Sequence, residues 1–101
     1  MILEVAILQV KPEEASNFER DFAQAGQYIS SIPGYIGHSL RKCIETAGRY
    51  LLLVDWERIE DHEVGFRQSD AYQAWKTLLH PYYDPFPTVE HYELVPLHKN
   101  S

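Results

Sequence analysis

A chain of 101 residues suffices for one domain around one core. Its 15 Asp and Glu outweigh its 9 Lys and Arg, and no basic block appears, so a nucleic-acid partner is excluded on charge grounds. A single cysteine, Cys43, excludes an internal disulfide, and no apolar run is long enough to span a bilayer.

The expectation is therefore a cytoplasmic protein with no membrane partner. The N-terminus carries Glu4 inside its first apolar run, with no basic segment before it, and so does not read as a signal peptide. Ile2 to Val10 is apolar and β-branched apart from Glu4 and Gln9, and reads as a strand. Lys11-Pro12-Glu13-Glu14 reads as a helix start, since proline suits the first helical position and acids suit the positive end of the helix dipole. Ala15, Phe18, Phe22, Ala25 and Ile29 follow as one apolar stripe, and Ser30-Ser31-Ile32-Pro33-Gly34 stops the helix.

Tyr35 to Cys43 reads as a second strand with Ile36, His38 and Leu40 on one face. Glu45 to Gly48 is a turn, and Arg49 to Trp56 is a third strand. Ile59 to Arg67 reads as a short helix. Ser69 or Asp70 caps another helix over Ala71 to Leu79, which His80-Pro81 ends. Tyr82 to Pro87 is a proline-stiffened aromatic loop, suited to be a pocket lid or an arm. Thr88 to Val95 is a last strand. The predicted domain is 1–95, with a frayed tail over 96–101.

The order β-α-β-β-α-α-β is a ferredoxin-like α+β pattern, an antiparallel sheet with helices on one face. In the first strand Leu3, Val5 and Ile7 point one way, and Ile2, Ala6, Leu8 and Val10 the other; in the third, Leu51 and Leu53 oppose Leu52, Val54 and Trp56. Both faces are apolar, yet helices can cover only one. The expectation is a homodimer joined through its sheet faces.

Three segments carry a family resemblance: Ser31-Ile32-Pro33-Gly34-Tyr35-Ile36, then Arg49 to Glu57 (RYLLLVDWE), then Ser69-Asp70-Ala71-Tyr72-Gln73-Ala74-Trp75. In this order the chain resembles the antibiotic biosynthesis monooxygenase family from about Ile2 to Tyr92. The resemblance implies a dimeric α+β barrel with a pocket in each subunit between sheet and helices. It also implies oxygenases that use no metal, flavin or other cofactor and act on aromatic compounds. The haem-degrading branch of the family has an asparagine, a tryptophan and a histidine ligand at the positions that hold Ala6, Phe66 and Lys76 here, so haem degradation is not expected.

Oxidation of a phenol or enol without a cofactor needs a base and an apolar cavity. Histidine suits the base role. His38 and His91 are the candidate catalytic bases, because strands hold both among apolar or β-branched same-face neighbours, with Glu93 placed to orient His91. His62, among Glu60, Asp61 and Glu63, reads as solvated. His80 reads as a cation meeting a helix end, and His98 lies in the tail. Phe66, Tyr72, Lys76, His80, Tyr83 and Phe86 are the candidate pocket residues, with Tyr83 or Phe86 closing the mouth, while Trp75 reads as core. No metal site is predicted, since no histidine pair has ligand spacing and Cys43 stands alone. The expected function is oxidation by O2 of a small aromatic, phenolic or quinol-like molecule. The alternative is a non-catalytic dimer that binds a small hydrophobic molecule or serves in stress.

Overall fold

In a computed structural model, described over residues 1–97, four strands form one antiparallel sheet in the order β2-β3-β1-β4. These are β1 (Ile2–Gln9), β2 (Tyr35–Lys42), β3 (Arg49–Trp56) and β4 (Val89–Glu93). Helix α1 (Ala15–Ile29) follows a single 3₁₀ turn at Pro12–Glu14. A π-helical turn (Asp61–Phe66) leads into α2 (Asp70–Leu79), and a second 3₁₀ turn, His80–Tyr82, ends that helix. This is the expected ferredoxin-like α+β arrangement, with β1 and β3 central. The last strand is shorter than its sequence suggested. It ends at Glu93, which pairs with Ile2, the first residue of β1, so Leu94 and Val95 run past the end of the partner strand. The predicted tail is irregular at 96–97, and its residues 98–101, His98 among them, lie outside the described residues.

The core lies between the sheet and the helices. Ala6, Leu8 and Val10 of the first strand and its exit meet Tyr50, Leu52, Val54 and Trp56 of β3, and the α1 stripe of Phe18, Phe22, Ala25 and Ile29 covers them. The opposite sheet face carries Leu3, Val5, Leu51 and Leu53, half-buried, and Ile7, exposed. One residue of β2 departs from expectation. A bulge between Tyr35 and Gly37 shifts the register, so Tyr35 pairs with Trp56 and His38 with Val54. Tyr35, not Ile36, thus shares the inner face with His38 and Leu40, and Ile36 is turned out to solvent.

Gly34 opens β2 at φ +91°, a left-handed conformation that only glycine adopts without strain. A methyl group there would strike the Asp61 carboxylate. The Asp61 side chain in turn accepts from the Arg58 backbone N–H at 3.1 Å, where the π-helical turn begins. At the far end of that turn the Arg67 N–H donates to the His62 carbonyl, 3.1 Å away and five residues back. Ser69 then caps α2, its Oγ accepting from the Tyr72 N–H at 3.1 Å.

Candidate functional site

Between β1, β4, the π-helical turn, α2 and the loop before β4 lies a cavity of about 360 Å³. Its floor is the inner face of the sheet: Glu4, Ala6, Leu8, Leu52 and Val89. Its helical side is His62, Phe66, Arg67, Tyr72 and Trp75, and its rim is His80, Tyr83, Phe86 and Pro87. The rings are mutually locked. Phe66 meets Tyr72 edge-on at 5.1 Å and Trp75 at 5.6 Å, and His80 meets Phe86 edge-on at 4.8 Å. Phe86 is 62% exposed and stands at the opening, whereas Tyr83 is half-buried and pairs its backbone with Val10.

The chemistry concentrates at Glu4. Strand parity points it inward with Ala6 and Leu8, and the ladder sets it between Val54 and His91. It is only 4% exposed. Trp56 Nε1 donates to Glu4 Oε1 at 2.9 Å, and His62 Nε2 lies 3.4 Å from the same oxygen. Burial raises the Glu4 carboxyl from its ordinary 4.5 to about 7, against the lowering effects of the Trp56 hydrogen bond and the Arg67 charge. A group poised there gives or takes a proton readily at neutral pH.

His62 is 3% exposed, which corrects its reading as a solvated side chain. Glu60, Asp61 and Glu63 surround it in sequence, but helical phase turns it inward with Phe66. Its ring stacks on Trp56 at 5.5 Å and 21°. Burial first, then the Arg67 and His91 charges, lower its pKa to about 3, so it is a neutral imidazole and its contact with Glu4 is not an ion pair. His80 caps the C-terminus of α2, as its position beside Pro81 suggested, and burial and the nearby Lys76 charge lower its pKa there.

Of the residues expected at the pocket, Phe66, Tyr72, His80, Tyr83 and Phe86 come together around this cavity, and Trp75 serves both it and the core. Lys76 does not join them. It lies one position past Trp75, about 100° round the helix, and is exposed. Tyr82 turns away and donates to Asp21 at 2.5 Å. Neither His38 nor His91 borders the cavity. His38 is on β2, the opposite edge of the sheet, where its Nδ1 is 2.5 Å from the Tyr35 hydroxyl and its ring lies over Gly26 of α1. His91 is screened from the cavity by His62, whose Nδ1 is 2.7 Å from His91 Nε2, so His62 and not Glu93 orients that ring. Among the described residues no cluster of three or more His, Cys, Asp or Glu is arranged to hold a metal ion.

A sequence model of the family described as antibiotic biosynthesis monooxygenase matches residues 1–78. The uncharacterized protein YczJ of Bacillus subtilis strain 168 is 54% identical over 93 residues, covering 92% of this chain and 98% of its own. A crystal structure from Bordetella bronchiseptica, named for the same family, superposes with a TM-score of 0.89 at 37% identity, over 94% of this chain and 97% of that one. SnoaB of Streptomyces nogalater, a cofactor-independent oxygenase, shares the fold at a TM-score of 0.72 and 18% identity, over 99% of this chain and 97% of its own.

Proposed function

This chain belongs to the antibiotic biosynthesis monooxygenase family, and from that membership we propose that it oxidises a small phenolic or quinol-like compound with O2 and no bound cofactor. The observation that carries the proposal is a ring-lined cavity whose floor holds one desolvated carboxyl group near neutral pKa. A phenolic ring fits among Phe66, Tyr72, Trp75 and Phe86, and its hydroxyl faces Glu4. Glu4 takes the hydroxyl proton, and the phenolate is electron-rich enough to reduce O2. One oxygen atom enters at an open ring position and the other leaves as water, giving a quinone. The substrate supplies all four electrons, so the balance needs no external reductant. Glu4 fills the role first considered for His38 and His91, because it borders the cavity and they do not.

The active unit in this proposal is a homodimer that covers the outer sheet face, where Ile7 is 58% and Tyr92 51% exposed. Its lone thiol, Cys43, suits a reducing, cytoplasmic setting. Oxygen uptake across a panel of phenols and hydroquinones tests the reaction. Turnover of at least one, lowered about a hundredfold or more by Glu4→Gln, is the expected result. Phenol binding with no uptake by any member would instead support the non-catalytic binding dimer.

A further inference from the structure

Glu4 heads a chain of side chains. Its Oε1 is 3.4 Å from one nitrogen of His62, Nε2, and the opposite nitrogen of that ring, Nδ1, is 2.7 Å from His91 Nε2. The three groups come from β1, the π-helical turn and β4, and Trp56 holds the middle ring flat by stacking and the carboxyl by a hydrogen bond. Glu4 and His62 border the cavity; His91 sits behind them, half-buried on an edge strand. The middle ring has two nitrogens, and it meets the cavity-floor carboxyl with one and a second imidazole with the other. That geometry is what proton transfer through an imidazole requires.

We propose that Glu4, His62 and His91 form a proton relay, which draws the substrate's proton away from the cavity and returns it when dioxygen is reduced. The proposal rests on the reading that a phenol is oxidised in this cavity. In the outward direction the phenol O–H bond breaks and its proton binds the Glu4 carboxylate. The Glu4 proton passes to His62 Nε2 as the His62 Nδ1 proton passes to His91 Nε2. One proton has entered, His62 is neutral as its other tautomer, and His91 is an imidazolium. The reverse shift delivers the proton to the peroxide oxygen that leaves as water, and it resets both rings. No electrons move along the chain. The 3.4 Å step is the long one, and it must tighten when substrate excludes water.

The charged and titratable groups around the middle ring are Glu4 from β1, His91 from β4 and Arg67 from the end of the π-helical turn. Glu90 and Glu93 flank His91 on its own strand.

Imidazole nitrogen NMR across pH, on the unmodified protein and on Glu4→Gln, tests the connection without any substrate. The expected result is that E4Q displaces the nitrogen resonances of His62 and also the titration midpoint of His91. A His91 titration identical in both proteins overturns the relay. Should E4Q not fold, His91→Gln runs the test from the solvent-facing end, and unchanged His62 nitrogens then overturn it. With any phenol that turns over, H91Q leaves a hydrogen-bonding amide that cannot pass a proton. It should slow oxygen uptake about tenfold or more and flatten its pH profile, and full activity with an unchanged profile overturns the relay. If no phenol is oxidised, the reaction assigned to the cavity fails, while the NMR result still decides whether the chain is connected.

Discussion

A carboxyl group on the inner face of a central strand is costly unless something offsets its desolvation. At Glu4 the offsets are the Trp56 N–H and the Arg67 charge, and they are incomplete, which leaves its pKa at about 7. The sign of the stability effect follows. The folded carboxyl binds its proton more tightly than an unfolded one at 4.5, so Glu4 favours the fold in acid, and this contribution is lost as pH rises through about 7. His62 works the other way: its folded pKa is depressed from 6.5 to about 3, so its contribution is present above 6.5 and lost as pH falls toward 3. Glu4→Gln removes the first effect. Denaturant titrations should show E4Q gaining on the unmodified protein as pH rises from about 5 to about 8, by up to about 3 kcal/mol. A constant difference across that range would mean that Glu4 is not buried as described. The position was readable in part. Glu4 has the parity of Ala6, Leu8 and Val10, all inward, and an acid in that phase is an anomaly. His62 was obscured by its three acidic neighbours, although its four-residue spacing to Phe66 held the answer. The Glu4–His62–His91 contact joins residues far apart in sequence and has no local signature.

At the scale of elements, the order and type of strands and helices were legible, because apolar alternation, the α1 stripe and Pro or Gly stops all agree. What escaped were the places where the backbone departs from ideal repeats. The bulge at Tyr35/Gly37 reverses the phase of Ile36, and the wide turn at Asp61–Phe66 is not written in periodicity. Gly34 links the two, since its carbonyl accepts from Glu57 at 2.8 Å and its bare α-carbon makes room for Asp61. Gly34→Ala must strain a left-handed residue and displace Asp61 together. It should destabilise the fold by about 2 kcal/mol or more and loosen His62. Ser69→Ala removes the α2 cap and the hydrogen bond that its Oγ donates to the Phe66 carbonyl at 2.6 Å, at about 1 kcal/mol. Thermal unfolding of both variants checks the ranking; G34A melting no lower than S69A would show that the Gly34 contact is not a constraint.

For the whole molecule, the two sheet faces make opposite demands. Leu52 is 4% exposed beneath the helices, whereas Val5 belongs to the outer face. Val5→Asp should therefore leave circular dichroism unchanged and halve the mass seen by light scattering, while Leu52→Asp should fail to fold. A V5D protein that keeps the mass of the unmodified one would remove the outer face as the site of association. The loop before β4 reaches both faces. Phe86 and Pro87 form part of the cavity rim and, with Val5, Ile7 and Tyr92, also line a groove on the outer side of the sheet. A side chain shared in this way makes the entrance and the outer face thermodynamically reciprocal. To the extent that a guest in the cavity and a partner on the far side of the sheet make different demands on Phe86, each changes the other's affinity by the same factor.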